Sequence, residues 1–194
     1  MALWGATDAD ESKPKWLTTA EKKEVYANAE GWVREGGSVW SGSDNTSAAP
    51  EILVAIGNLT TGLGAADVTE VEWITTAADK SAGFTLSVRV RYNEAVTVTG
   101  SPTLAVTNGN QGSGSGRGPH TLVYASGTGT NELVFSLAIG AANAATNASD
   151  VLTIGAQNIA LAGGSLKDKG TSTNSAVAIS GAQGTAAGSI TVVA

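Results

Sequence analysis

The segment GFTLSVRVRY, residues 83–92, alternates apolar and polar side chains without interruption from position 84 onward. Successive side chains of a β-strand point to opposite faces of a sheet, so this segment presents one apolar face and one polar face. The apolar face consists of Phe84, Leu86, Val88, Val90 and Tyr92. The polar face consists of Thr85, Ser87, Arg89 and Arg91. This pattern predicts a half-buried antiparallel strand, and it requires a sheet with a core on one side.

The rest of the chain beyond residue 68 is typical of an all-β sandwich. Short apolar runs recur every 8–15 residues or so, with Gly, Asn and Ser between them. Besides the strand above, we expect strands around residues 69–76, 96–99, 103–107, 122–125, 133–139, 151–154, 158–162, 176–180 and 189–193. The glycine-rich residues 127–129 predict a hairpin turn, and residues 108–120 predict a long, flexible loop.

The first 67 residues differ in composition from the sandwich. Four of the five tryptophans, Trp4, Trp16, Trp32 and Trp40, lie in the first 40 residues, and Trp73 is the fifth. Such a short, Gly- and Ser-interrupted segment has little apolar material for a core of its own. We therefore expect an extended N-terminal arm over residues 1–67, followed by the sandwich over residues 68–194.

One short helix is expected within the arm, over about residues 18–30. Thr18 is suited to the N-cap, Glu21 lies three residues later as in a capping box, and Gly31 follows as a stop. A Gly/Ser-rich loop comes next. The apolar segment 51–64 shows no clear period, and a short strand and a helical turn both remain open for it.

Composition excludes several classes of protein. The chain has no cysteine, which removes disulfides and thiolate metal sites. The net charge of −6 disfavours nucleic acid as a partner, since phosphate contacts need clustered Lys and Arg. No apolar run is long enough to span a membrane. The start, MALWGATDADESK, lacks the features of a signal peptide, so we expect the chain to fold in a cytoplasm.

The residue inventory also predicts that the protein is not an enzyme and needs no cofactor. His120 is the single histidine, it follows GRGP in an expected loop, and no cysteine is present to replace it as a catalytic group. The glycines before it lack the Gly-Lys-Ser/Thr ending of a phosphate loop. Asn93, Glu94 and Asp168 are candidate calcium ligands, but no short segment supplies the alternating oxygen ligands of a calcium loop. A turn accounts for Asn93 and a strand end for Glu94 equally well, so no metal site is expected.

Residues 68–180 resemble a family of bacterial Ig-like β-sandwich repeats found in large surface and adhesion proteins, and as single copies in phage virion proteins. The resemblance rests on a strand that ends in an aromatic before an Asn-Glu pair, a Gly-rich hairpin, and a Leu-x-Gly-Gly turn that leads to an aspartate. The matching positions are Tyr92, Asn93, Glu94, Val96, Val98, Gly100, Pro102, Leu104, Tyr124, Ser126, Gly127, Gly129, Thr130, Leu133, Phe135, Leu161, Gly163, Gly164, Leu166 and Asp168. The closing turn, DKGTSTNSA, departs from the family pattern, and the chain holds one copy without internal repeats.

The first 26 or so residues, ALWGATDADESKPKWLTTAEKKEVYA, are similar to the start of small virion proteins of tailed phages of marine bacteria, especially cyanobacteria. This resemblance implies a virion location after folding in the host cytoplasm. It also implies a capsid decoration or cement protein whose partner is the major capsid protein, with further copies of the chain as an additional partner.

Tryptophans are frequent anchors of buried interfaces, so the arm is the expected capsid-binding element. The candidate contacts are Trp4, Trp16, Trp32 and Trp40 in the arm, and Arg89 and Arg91 on the outer strand face. The alternative is a host- or carbohydrate-binding module on the capsid exterior or a tail fibre, which would use loops such as residues 108–120. That loop has no aromatic side chain for stacking on a sugar, which favours the decoration protein.

Overall fold

The structure, a computed structural model, describes residues 13–109, 119–141 and 146–194. Strands account for 47% of it and helices for 9%, so the predicted mainly-β, sandwich-like fold is confirmed. The strands are β1 (Val25–Asn28), β2 (Gly31–Arg34), β3 (Glu51–Ala55), β4 (Val68–Trp73), β5 (Ala78–Asp79), β6 (Phe84–Thr99), β7 (Thr103–Gly109), β8 (His120–Ser126), β9 (Thr130–Ile139), β10 (Val151–Thr153), β11 (Gln157–Asn158), β12 (Ser165–Asp168), β13 (Ala178–Ile179) and β14 (Ser189–Val193). The helices are a 3-10 turn (Glu21–Glu24), α1 (Leu59–Leu63) and α2 (Gly181–Ala187).

Among the described residues, twelve strands join one mixed sheet around β6. The main path runs β3-β2-β1-β6-β9-β8-β7-β10-β14-β5, while β4 and β12 also pair with β6, and β11 pairs with β13 separately. Most pairs are antiparallel, and the β1–β6 and β14–β5 contacts are parallel. The hairpin between β8 and β9 turns at residues 127–129, as predicted.

The sheet folds over on itself to enclose one main core. Side chains from strands far apart on the path share that core, including Val71 of β4, Phe135 of β9 and Val192 of β14. The alternation predicted for residues 84–92 is confirmed, because Leu86, Val88, Val90 and Tyr92 are fully buried and Phe84 packs against them. Burial of these side chains supplies the main stabilisation of the fold.

The helix predicted over residues 18–30 is wrong in extent. Thr18 and Glu21 do form the predicted reciprocal pair, since Thr18 N donates to Glu21 Oε2 at 2.9 Å and Glu21 N donates to Thr18 Oγ1 at 3.2 Å. The helical turn nevertheless ends at Glu24, and residues 25–28 form β1. An isolated helix of three turns is marginal, whereas β1 gains a full antiparallel ladder with β2.

The expected arm is therefore a small antiparallel sheet over most of its length. Residues 13–64, which contain β1, β2, β3 and α1, are named here the N-terminal sheet. Its own small core contains Leu17, Val25, Ala27, Trp32 and Leu59. The segment left open at 51–64 contains both structures, a strand followed by a short helix.

Helix α2 is an element that the sequence analysis did not predict. Its signal was present, because Ser180 and Gln183 form a capping box in which each side chain pairs with the backbone N–H of the other. The helix could not be recognised from apolar periodicity, because the small residues of GAQGTAA show no apolar period.

Candidate interaction surface

Exposed aromatic side chains mark one part of the molecule. Trp16 is 62% exposed and Trp40 is 47% exposed, and they are the two exposed aromatic residues in the described part of the chain. Both belong to the N-terminal sheet, where Val39 and Ile52 are exposed as well. The large exposed apolar side chains of this part of the chain are candidates for contact with another molecule, because burial of such side chains stabilises an interface.

The loop that carries Trp40 is held in place by charged and polar contacts. Arg34 Nη1 donates to the Trp40 carbonyl at 3.0 Å and lies 3.4 Å from Glu51 Oε2 at the start of β3. Ser38 Oγ bonds the Glu24 carboxylate and accepts from Trp40 N. Because these contacts fix the backbone on both sides of Trp40, its side chain is presented from an ordered loop.

Strand β3 lies at the end of the sheet. It pairs with β2 on one side, and no other described strand pairs with its second edge. Its residues are exposed or half-buried along the whole strand. An open edge of this kind can accept a further strand from a partner through backbone hydrogen bonds.

The four tryptophans predicted as anchors divide into different environments. Trp16 and Trp40 are exposed, as an anchor requires. Trp32 is fully buried in the core of the N-terminal sheet, so its assignment as a partner contact is wrong. The reason is that residue 32 lies in β2, whose side chains face the chain's own core. Trp4 lies outside the described residues.

Arg91 was predicted as a contact on the outer face, and this assignment is also wrong. It is only 4% exposed, because the N-terminal sheet covers it. In the sheet register it lies between Glu70 of β4 and Glu132 of β9, and it forms an ion pair with Glu132. Its Nη1 also donates to the Lys23 carbonyl at 2.9 Å and lies 3.3 Å from Glu35 Oε1. Acids of the same chain therefore already match the charge of Arg91.

Arg89 has partners within the chain as well, although it is less buried than Arg91. Its Nη1 lies 3.0 Å from Glu72 Oε1, and its Nε lies 3.5 Å from Glu132 Oε2. Glu72 lies directly opposite Arg89 in the β4–β6 ladder. These pairs follow from the sheet register, and they leave Arg89 with its charge already matched.

Two lysines of the N-terminal sheet complete this group of charges. Lys23 forms an ion pair with Glu70, and Lys13 Nζ donates to the Lys22 carbonyl at 2.7 Å. Burial, together with the charge of Arg91, lowers the pKa of Lys13 to about 8. The group, named here the interface charge cluster, comprises Lys13, Lys23, Glu35, Glu70, Glu72, Arg89, Arg91 and Glu132.

Glu35 is the acid of this cluster with the most perturbed titration. Burial, followed by repulsion from the nearby Glu132 carboxylate, raises the pKa of Glu35 to about 7, against the opposing attraction of Arg91. No local pattern singles out Glu35, because it enters the cluster through tertiary packing. The alternation along β9 places Glu132 on the same face as Val134, and these two residues lie opposite Arg91 and Arg89. The sequence therefore contains a weak indication that Glu132 faces the arginines.

The sequence placed His120 in a loop, whereas it is the first residue of β8 and is buried. Its Nε2 lies 3.3 Å from Thr146 Oγ1, and burial lowers its pKa although Asp150 acts in the opposite direction. Asp150 is also fully buried, and its Oδ2 accepts from Asn108 Nδ2 at 3.0 Å. His120 and Asp150 are therefore polar residues of the protein interior, each with a polar partner there.

Glu94 and Asp168 are brought together by the fold. Asp168 lies opposite Val96 in the β6–β12 ladder, so it is a diagonal neighbour of Glu94. Both carboxylates are buried. Asn93 serves the turn beside them, because Asp67 N donates to its Oδ1 at 2.6 Å and Asn93 N donates to the Asp67 carbonyl at 3.0 Å.

A cleft of about 610 Å³ lies between the N-terminal sheet and the sandwich. Its charged lining is mixed, with Lys13, Lys22 and Lys23 facing Asp67 and Glu70. This mixture of charges gives no single preference for an anionic or a cationic ligand.

No described helix is both long enough and apolar enough to cross a membrane. Within residues 13–109, 119–141 and 146–194, no group of three or more His, Cys, Asp and Glu side chains is arranged to hold a metal ion. Comparisons of the chain with protein-family models, curated proteins and solved structures find no match.

Proposed function

We propose that this protein is a non-enzymatic component of a tailed-phage virion, a decoration or cement protein that binds the major capsid protein through its N-terminal sheet. The observation that carries the proposal is the location of the exposed aromatic residues. Trp16 and Trp40 both lie on the N-terminal sheet, whereas the aromatic side chains in the described part of the sandwich are buried or half-buried.

Tryptophan supports this proposal because of its physical properties. It buries a large apolar area with few rotatable bonds, and it is enriched among the residues that dominate binding energy. The open edge of β3 adds backbone groups that can pair with an extended segment of a capsid subunit. Cementing requires no chemistry at the interface, only buried area that links neighbouring subunits.

The sequence resemblance supplies the class of partner. The first residues are similar to virion proteins of tailed phages, and the sandwich resembles Ig-like repeats that occur singly in such particles. A virion protein folds in the host cytoplasm and then acts outside it, which accounts for a chain without cysteine. The exposed capsid surface and further copies of this chain would be its neighbours there.

The alternative is a host- or carbohydrate-binding module. Sugar sites use exposed aromatic rings for stacking, and in the described residues such rings lie on the N-terminal sheet instead of the sandwich loops. The distribution of exposed aromatics therefore favours binding to a protein lattice.

The proposal is tested with full-length protein and capsids stripped of it. Replacing Trp16 and Trp40 together by Ala should weaken binding by about thirtyfold or more, because loss of a single anchor commonly costs about 2 kcal/mol. Both residues are replaced because a repeating lattice masks a single weak contact through avidity. Binding is measured by co-sedimentation with the particles over a range of protein concentrations.

Ile74→Ala with Val123→Ala is the matched control, since both side chains are exposed on the sandwich. This control variant should bind as the wild type does. Circular dichroism and melting should show that both double variants remain folded. Full occupancy by the Trp16/Trp40 variant, or loss of binding in the sandwich control alone, would contradict the proposed surface.

A further inference from the structure

Two buried carboxylates of the sandwich lack a counter-charge. Glu94 on β6 is 0% exposed and Asp168 at the end of β12 is 1% exposed. Throughout the described ranges, no lysine, arginine or histidine forms an ion pair with either. Charged groups are rarely buried without such a partner, because removing an ion from water costs several kcal/mol.

The oxygen atoms of this pair are also short of hydrogen-bond donors. Both oxygens of Glu94 and Oδ2 of Asp168 are buried with no hydrogen-bond partner among the described residues. Oδ1 of Asp168 is used, since it accepts from the backbone N–H and the hydroxyl of Thr171. Three oxygens in one small region therefore have no donor from outside the pair, in contrast to the usual pairing of buried polar atoms. A hydrogen bond between the two carboxyl groups is the contact left to them.

A further charge that acts on Glu94 is another acid, Asp67. Burial, followed by the charge of Asp168, a side-chain hydrogen bond with Asp168 and the charge of Asp67, raises the pKa of Glu94 to about 8. Asp67 is exposed and is tied to position 93 by the two hydrogen bonds between Asp67 and Asn93.

A bound cation resolves this arrangement more completely than a shared proton does. One proton bridges two oxygens, which leaves the third buried oxygen without a partner. A divalent ion would attract all three oxygens at once and would balance two negative charges. Oxygen ligands alone select a hard cation, and Ca²⁺ tolerates irregular sites that Mg²⁺ does not.

We propose that Glu94 and Asp168 form a binding site for a divalent cation, with Ca²⁺ as the preferred ion. Two side chains supply few of the six to eight ligands that Ca²⁺ takes, so backbone carbonyls and water complete the shell. Such a sparse site has a dissociation constant of about 10⁻⁴–10⁻³ M, as in extracellular modules. The site lies where β6 pairs with β1, since Glu94 is opposite Ala27 in that contact. It does not depend on the proposed role in a virion.

The test uses full-length protein freed of metal with EDTA and then dialysed. CaCl₂ and MgCl₂ are titrated separately, with isothermal calorimetry for binding and thermal melting for stability. Calcium at about one hundred times its dissociation constant should raise Tm by roughly 5–10 °C. Magnesium should produce a smaller shift at the same concentration.

Glu94→Gln is the diagnostic variant, because it keeps the shape of the side chain and removes its charge. It should bind calcium at least tenfold more weakly than the wild type, and its Tm in EDTA should equal or exceed that of the wild type. Glu30→Gln, on an exposed turn, is the control and should respond to calcium as the wild type does.

Two results would overturn the proposal. The absence of both heat and a Tm shift in the wild type up to about 10 mM calcium would show that the pair shares a proton instead. An unchanged calcium response in Glu94→Gln would place the ion elsewhere. If Glu94→Gln does not fold, the titration of the wild type decides alone.

Discussion

Arg91 of β6 and Glu132 of β9 lie directly opposite each other in the sheet and form an ion pair beneath the N-terminal sheet. The same guanidinium contacts the carbonyl of Lys23 and the carboxylate of Glu35, which both come from the N-terminal sheet. One side chain of the sandwich thus connects the sandwich to the N-terminal sheet. Removal of the whole N-terminal sheet would expose Arg91 and would remove Lys23 and Glu35, which contact or surround it. Single substitutions are therefore better tests of binding than truncation.

Replacing Arg91 by Met should lower the free energy of unfolding by about 3 kcal/mol, because the surrounding acids lose their buried counter-charge. The melting temperature should fall by roughly 6–12 °C. Arg89→Met is the matched control on the same strand. Its side chain is about a third exposed, so its loss should cost less than about 1 kcal/mol. Equal effects of the two substitutions would argue against a special role for Arg91.

Stability should depend on pH through Glu35. The pKa of its carboxyl group is raised in the folded state, from 4.5 to about 7, so folding favours the protonated form. Its favourable contribution is complete below about pH 4.5 and is lost as pH rises through 7. Around it lie Arg91, Glu132, Lys13 and Tyr26, whose charges couple to the same proton.

The measurement is the difference in unfolding free energy between Glu35→Gln and the wild type, from denaturant titrations at pH 5 and pH 8. Gln mimics the protonated acid. From pH 5 to pH 8, the free energy of unfolding of the variant should therefore rise relative to that of the wild type by about 1–3 kcal/mol. Glu30→Gln serves again as an exposed control and should follow the wild type. A difference that does not change with pH would show that Glu35 titrates normally.

The hairpin between β8 and β9 depends on Gly127. Its φ is +111°, and a Cβ atom there would lie 1.8 Å from the Glu132 carbonyl oxygen. Strained backbone alone costs about 1–3 kcal/mol. Because the clash adds to this, Gly127→Ala should lower the free energy of unfolding by a larger amount. Gly155→Ala should change stability by less than about 0.5 kcal/mol, because a Cβ atom meets nothing within 4 Å. Denaturant melts of the two variants compare them directly, and similar midpoints would contradict the strained turn.

The sequence by itself determined the elements that depend on local pattern. The strict alternation over residues 84–92 specified both the strand and its buried face, since one face of a half-buried sheet must be apolar. The recurring apolar runs and glycine turns likewise predicted most of the later strands. Thr18 and Glu21 form the predicted pair of hydrogen bonds, but the helical turn begins only at Glu21 and ends at Glu24. A local pair of this kind does not set how far a helix runs.

The tertiary structure alone decided which polar residues are buried. Arg91 has the same alternating position as Arg89, yet packing of the N-terminal sheet covers Arg91 much more. Trp32 and Trp40 have similar local surroundings in the sequence, but one lies in a core strand and the other on an exposed loop. Glu94 and Asp168 are 74 positions apart and become neighbours through the β6–β12 ladder. Burial and counter-charge arise from contacts between distant segments, and no local pattern encodes them.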